Sequence, residues 1–238
     1  MTLLSVNINK IATLRNARGG NIPNVLQAAL DIESFGANGI TVHPRPDGRH
    51  IKYQDVFDLK SNIQTELNVE GYPSDDFMAM VLSVQPHQVT LVPDPPNALT
   101  SNAGWNVTEE KKRLQECVSA LKKEGIRTSI FIDPKAEQIK AAAETGVDRV
   151  ELYTENFANQ FHQNPASAIA PYVMAAQTAL EVKLGLNAGH DLSLQNLKYF
   201  NQHIPGLLEV SIGHALICDA LYLGLENTVK MYLHQLQL

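Results

Sequence analysis

The sequence predicts an eight-stranded (β/α)8 barrel of the TIM-barrel class, with extra short helices in its βα loops, and three observations predict it. Eight short β-rich runs recur at fairly even intervals, amphipathic stretches separate them, and glycine closes three of those stretches. Alternating β and α patterns give a parallel sheet built from right-handed crossovers, and eight is the strand number that closes on itself.

In chain order, strand one is expected over Leu3 to Asn9, followed by a long segment, Lys10 to Asn21, that carries Arg15, Arg18, Gly19 and Gly20. Asn24 to Phe35 has helical periodicity and stops at Gly36, a residue suited to the left-handed position past a helix end. Strand two reads Gly39 to Pro44, strand three Thr65 to Gly71 and strand four Gln88 to Pro93. The long segment after strand four, Asp94 to Asn106, reads as a loop able to close over a site. Val107 to Glu124 is a helix ended by Gly125, Arg127 to Asp133 strand five, and Lys135 to Thr145 a helix ended by Gly146. Strand six spans Arg149 to Thr154 and is followed by a third long segment, Glu155 to Asn164. Strands seven and eight are expected at Val182 to Asn187 and Leu207 to Gly213. The rival architecture is a doubly wound open sheet, which in a dinucleotide binder brings a Gly-x-Gly-x-x-Gly turn after strand one; Asn9-Lys-Ile-Ala-Thr-Leu-Arg-Asn-Ala-Arg18 has no such glycines.

The 238 residues suit one domain, 1–238, with a large core. Hydrophobic residues at 44% and charged residues at 18% describe an ordinary globular chain. A net charge of −6 argues against a nucleic-acid partner and requires any anionic substrate to be drawn by a local basic cluster. No apolar run reaches the roughly 20 residues of a membrane span, and the N-terminus lacks a signal-peptide pattern. Cys117 and Cys218 are far apart in apolar helical surroundings, so buried free thiols and a cytoplasmic location are expected.

With strand interiors read as apolar, polar residues at strand ends need a reason. Strand two ends in His43-Pro-Arg45, with Arg49-His50 following; strand three ends in Glu70, strand seven leads to His190, and strand eight to Gly213-His214. In a barrel these ends share one mouth, so His43, Glu70, His190 and His214 should meet there. Each could be structural by itself, a Glu pairing with an Arg or a His packing, but four on one face are better explained by one site. Imidazoles exchange protons at cellular pH, and a carboxylate in a buried mouth gains proton affinity, which suits general acid–base work. Arg18, Arg45 and Arg49 offer forked donors for phosphate oxygens, and Gly213-His214 opens a helix whose free N–H groups favour a second phosphate. Two phosphate zones suggest two phosphorylated substrates, or one with two phosphates. His87, His203 and His234 read as surface or packing residues.

The runs Val6-Asn-Ile, Ile11-Ala-Thr-Leu-Arg-Asn-Ala-Arg-Gly19, Gly39-Ile-Thr-Val-His-Pro-Arg45, Arg49-His-Ile51, Asn68-Val-Glu70, Asn187-Ala-Gly-His190 and Ile212-Gly-His-Ala215 resemble the pyridoxine 5′-phosphate synthase family, and the resemblance covers essentially the whole chain. It implies condensation of 1-deoxy-D-xylulose 5-phosphate with 3-amino-2-oxopropyl phosphate to pyridoxine 5′-phosphate, phosphate and water, without a metal or organic cofactor, in a homo-oligomer that the family builds as an octamer. It implies that His43 and Glu70 accept protons and His190 donates one. It places Arg45, His50 and Thr100, assisted by Arg18, on the pentulose phosphate, with Asn9 and Lys10 placed to touch it. Asn7, Asp191, Gly213 and His214 fall on the aminoketone phosphate. Asn9-Lys10 stands where many members carry Asp-His, and Asp191 where glycine is frequent. Two rival readings remain. In one, a divalent metal sits on the face formed by His43, Glu70 and His190, as in a metal-dependent barrel isomerase or hydrolase. In the other, the chain is a non-catalytic phosphosugar binder.

Overall fold

The computed structural model describes residues 1–94 and 103–237. Eight parallel strands close a barrel in sequence order, each hydrogen-bonded to the next and the last to the first. They are β1 (Leu3–Asn7), β2 (Gly39–Val42), β3 (Glu66–Gly71), β4 (Gln88–Leu91), β5 (Arg127–Ile132), β6 (Arg149–Leu152), β7 (Gly185–Gly189) and β8 (Leu207–Ile212). The helices outside them are α1 (Asn9–Arg18), α2 (Val25–Ser34), α3 (Tyr53–Asn62), α4 (Asp75–Val84), α5 (Val107–Lys123) and α6 (Ala136–Ala143). After β6 come α7 (Glu155–Phe161) and α8 (Pro165–Glu181), then α9 (Leu197–His203), α10 (His214–Leu223) and α11 (Leu225–Gln235).

Two segments expected as long loops contain helices. Lys10 to Asn21 is mostly α1, and Glu155 to Asn164 mostly α7, so both are the extra βα helices of the predicted class. Asn9, expected as the last residue of strand one, is the first residue of α1. The helix stops at Gly36, Gly125 and Gly146 are borne out: all three glycines have positive φ, which a side chain would oppose.

Strand seven is corrected. It begins at Gly185, not Val182, because α8 runs on to Glu181. Its stop is Lys183, a non-glycine residue at φ 59°, followed by a Leu184 N–H bond to the Ala179 carbonyl. A lysine in the left-handed position leaves no glycine to mark the boundary.

Period-two alternation divides every strand. Leu4, Val6, Ile40, Val42, Leu67, Val69, Val89, Leu91, Ile130, Ile132, Val150, Leu152, Val210 and Ile212 belong to one buried apolar cluster with the helices. The alternate positions include Ser5, Thr41, Asn68, Thr90, Ser129, Glu151, Asn187 and Ser211, all buried and polar. The expectation of apolar strand interiors therefore holds for one face only. Part of the polar set is held by hydrogen bonds across strands: Ser5 Oγ to Thr41 Oγ1 at 2.7 Å, Asn68 Nδ2 to Thr41 Oγ1 at 3.3 Å, and Thr90 Oγ1 to Asn68 Oδ1 at 3.0 Å, whereas Ser129 Oγ and Asn187 Nδ2 have no partner among the described residues. At the N-terminal ends of the strands an ionic layer joins Arg127 to Glu66 and Gln88, and Arg149 to Glu209. Partnered polar groups can occupy a barrel interior where unpartnered ones would cost about 1–3 kcal/mol each.

Cys117 and Cys218 are free, as expected, but half-buried. Among the described residues no helix is long and apolar enough to cross a membrane.

Candidate active site

The C-terminal ends of the strands open into a cavity of about 530 Å3. It is lined by Asn7, Asn9, Lys10, His43, Arg45, His50, Glu70, His190, Asp191, Gly213 and His214, so the fold gathers these eleven expected residues at one mouth. Arg18 is not brought there: it is exposed at the far end of α1 and does not line the cavity. Thr100 lies outside the described residues, as does most of the loop after β4. Arg49 lines the cavity beside Arg45, and Thr13, Val92, Phe131, Glu151, Tyr153, Glu155 and Ser211 complete the wall without having been singled out as site residues.

Three strand ends are tied together by two asparagines. Asn7, the last residue of β1, donates from Nδ2 to Glu70 Oε2 at 3.4 Å and accepts the Asn9 N–H at 3.1 Å. Asn9 Oδ1 accepts the His43 N–H at 2.9 Å, which fixes the backbone that carries the histidine. That contact asks only for an acceptor oxygen, and an amide supplies one as well as a carboxylate does.

Burial, the neighbouring His50 and the cations Arg45 and Arg49 push His43 down to about 3. His50, whose ring centroid is 6.0 Å from that of His43, is pushed down to about 4 by burial, Arg45 and Lys10. Both imidazoles are therefore neutral at cellular pH in the open site. The His50 carbonyl accepts from Arg15 and Asn16 of α1, and Arg15 is locked by a buried ion pair to Asp55. Arg45 lies 3.6 Å from Asp94, both side chains being almost fully buried.

Glu70 is raised to about 8 by burial and by the charge of Asp94. Glu151, only 2% exposed, has its carboxyl held well above the ordinary carboxylate range by burial and by Glu70. The two acids sense each other, so they favour holding one proton between them over two negative charges. Glu151, read from the sequence only as a further carboxylate at the mouth alongside Asp133, was not among the expected site residues. Its signal was a charged residue on the polar face of a short strand. Asp133, the other carboxylate at a strand end, accepts the Gly104 N–H at 3.0 Å and so anchors the chain returning to α5.

His190 differs from the other histidines. It sits just past β7 at φ 48°, a conformation costing a non-glycine residue about 1–2 kcal/mol. Its ring stands edge-on to Tyr153, and its Nδ1 lies 2.7 Å from Asp191 Oδ2. Burial pulls its pKa down, but the hydrogen bond and charge of Asp191, with Glu151 and Asp94, more than offset that and hold it above the ordinary value. Asp191 therefore directs its carboxylate at His190. At β8, Gly213 precedes α10 and Cβ at this position would come within 2.9 Å of Asn7 Cβ, so only glycine lets the helix start this close to β1. Among the described residues no three His, Cys, Asp or Glu side chains converge as a metal-ligand group.

Comparison with known proteins identifies the family. Residues 4–238 match the family model described as pyridoxal phosphate biosynthesis protein PdxJ. A pyridoxine 5′-phosphate synthase from Bacteroides fragilis is 61% identical over 232 residues, covering 98% of both chains. One from Cytophaga hutchinsonii is 59% identical over the full length of both. Among solved structures, the barrel is similar to 3-keto-L-gulonate-6-phosphate decarboxylase from Vibrio cholerae (TM-score 0.66, 10% identity, 99% of this chain and 97% of that one). It is similar also to N-(5′-phosphoribosyl)anthranilate isomerase from Pyrococcus furiosus (TM-score 0.65, 11% identity, 99% and 98%). At those identities the likeness is one of fold. The full-length match and the high-identity relatives show that the chain belongs to the PdxJ family.

Proposed function

We propose that this member of the PdxJ family is a pyridoxine 5′-phosphate synthase that condenses 1-deoxy-D-xylulose 5-phosphate with 3-amino-2-oxopropyl phosphate. The observation that carries the mechanistic reading is that one cavity holds two histidines driven in opposite directions. The proton affinity of His43 is lowered by burial and cations, while that of His190 is raised beside Asp191. Groups whose surroundings push their proton affinities apart are the acid and base of a site.

His43 and Glu70 accept protons and His190 donates one. The amine of one substrate adds to the ketone of the other, and water leaves to give an imine. Proton removal beside the imine permits loss of phosphate from the pentulose portion, where water replaces it as a hydroxyl, while the aminoketone's phosphate stays as the 5′-phosphate of the product. An aldol-type closure and the loss of two more waters then give the aromatic ring. Each proton transfer gains roughly 10²–10⁴-fold from a placed acid or base. Loss of a proton from Glu70 or Glu151 leaves a buried negative charge that favours the cationic imine over the neutral ketone. Arg45, Arg49, His50 and Lys10 form the basic side suited to the pentulose phosphate. The N-terminus of α10 at Gly213-His214, next to Asn7, suits the aminoketone phosphate.

The protein works in the cytoplasm and without a cofactor. It self-associates, a reading supported by exposed apolar side chains such as Tyr222 and Leu221 on α10. Incubation with both substrates tests the activity. Pyridoxine 5′-phosphate and inorganic phosphate should appear in equal amounts and survive chelator treatment. Binding without product would leave a phosphosugar binder, and chelator-sensitive turnover would favour a metal enzyme.

A further inference from the structure

We propose that Asp191 is a positioning residue that acts through His190, holding its Nδ1–H so that the proton available for transfer is always the one on Nε2. The inference rests on the reading of His190 as the proton donor.

The geometry is specific. A carboxylate only accepts, so the 2.7 Å contact between Asp191 Oδ2 and His190 Nδ1 requires a hydrogen on Nδ1. The neutral ring is then the Nδ1–H tautomer, with its lone pair on Nε2. The protonated ring carries its second hydrogen on Nε2. When that Nε2–H bond breaks and an O–H bond forms on the substrate, the N–H electron pair stays on Nε2. The Nδ1–H remains bonded to Asp191 throughout.

The turn that carries the pair is held from outside. Thr154, at the end of β6, donates from Oγ1 to the Gly189 carbonyl and accepts the Asp191 N–H at 3.3 Å. The His190 N–H bonds the Ser211 carbonyl of β8 at 3.1 Å. Both neighbouring strands thus fix His190 at φ 48°, and its ring lies against Tyr153 and Phe131. Glycine cannot supply a side-chain carboxylate at position 191; this chain supplies one from the next residue in sequence.

The charges around His190 all favour the imidazolium. Asp191 lies on its own turn, Glu151 on β6, Asp94 beyond β4, and Glu155 opens α7, where its carboxylate accepts the Tyr153 hydroxyl at 2.5 Å. The cations Lys10, Arg45 and Arg49 act instead on His43 and His50.

The experiment is an NMR titration of imidazole-15N-labelled full-length protein without substrate. His190 is assigned as the ring missing from His190→Gln. Wild type, Asp191→Asn, Asp191→Ser and Asp191→Glu are compared, and each variant's pH profile of kcat is recorded. The Asn and Ser variants should lower the His190 midpoint by about one pH unit or more, a tenfold loss of proton affinity, and shift its tautomer towards Nε2–H. Asp191→Glu should restore both. The basic limb of kcat should move to lower pH in step, with kcat at about pH 8 down roughly tenfold and KM for both substrates within about twofold. A midpoint within about 0.3 of wild type, with unchanged tautomer, overturns the proposal. Because the titration needs no turnover, an inactive substrate pair defeats the assigned reaction while leaving the Asp191 result legible.

Discussion

Replacing Glu70 with glutamine should stabilise the protein while nearly abolishing turnover, and pH separates the two effects. Glu70 has an ordinary pKa of 4.5 and is raised to about 8 in the fold, chiefly by burial. The folded state thus prefers the protonated acid. Stability is full below the unfolded value of 4.5 and is lost as pH rises to about 8. At about 1.4 kcal/mol per tenfold change in proton affinity, that interval corresponds to on the order of 4 kcal/mol forfeited by pH 8. Glutamine keeps the shape and an oxygen for the Asn7 amide, now 3.4 Å from Glu70 Oε2, but never ionises. Some of the gain returns to Glu151, which loses a repulsive neighbour only in the variant. Urea unfolding at pH 8 should therefore place the variant about 2–4 kcal/mol above wild type, a midpoint shift of roughly 1 M or more. Near pH 4.5 the two should coincide to within about 0.5 kcal/mol. In the same preparations kcat should fall about 10²–10⁴-fold with KM nearly unchanged. A variant equally stable relative to wild type at both pH values refutes the buried-acid reasoning. Near-normal turnover removes Glu70 from the chemistry.

Three further outcomes follow from the site. Arg45→Ala should raise KM for the pentulose phosphate about 10–100-fold, the worth of a hydrogen bond to a charged group, and leave KM for the aminoketone within about threefold; equal effects on both substrates would contradict the division of phosphates. His43 is lowered from 6.5 to about 3, so its contribution is full above 6.5 and lost as pH falls towards about 3; His43→Gln should flatten acid destabilisation in that window, by about 2 kcal/mol near pH 5 in urea titrations. Asn9→Asp should keep kcat within about twofold because the His43 N–H still finds an acceptor, whereas Asn9→Ala should cost about 1–2 kcal/mol of stability and lower kcat; a fall in the Asp variant alone would show that the amide NH2 matters.

The barrel was legible because its signals are local. Short β-rich runs mark the strands, and glycines 36, 125 and 146 mark helix ends. Where the signal was absent the boundary moved: Lys183 ends α8 in a left-handed conformation that lysine does not advertise, so β7 was placed three residues early. The segment 10–21 was read as loop because α1 packs by residues such as Arg15, a buried cation paired to Asp55, which no apolar stripe reveals. His43, Glu70 and His190 stood out as polar residues at strand ends. Glu151 did not, because a strand whose inner face is polar throughout gives one more acid no contrast. The Asp191 contact was equally hidden. Its side chain was weighed against a phosphate, but the turn aims it at the adjacent imidazole.

The proposed reaction brings two anionic substrates to a protein of net charge −6. Charge at the mouth is partitioned. Lys10, Arg45 and Arg49 surround His43 and His50, whereas Glu151, Asp94 and Asp191 surround His190. The overall field repels a phosphate, so the basic side must act within about one Debye length, roughly 8 Å at physiological salt. It can do so because its cations are partly desolvated at a cavity wall, where their attraction is less screened. A phosphate bound there offsets the cations' share of the lowered proton affinity of His43, while burial, the larger cause, remains. His190 needs no such offset, because its counter-charge is built into the chain as Asp191. On the proposed roles, the acid carries its counter-charge in the chain, whereas the base meets one in the ligand.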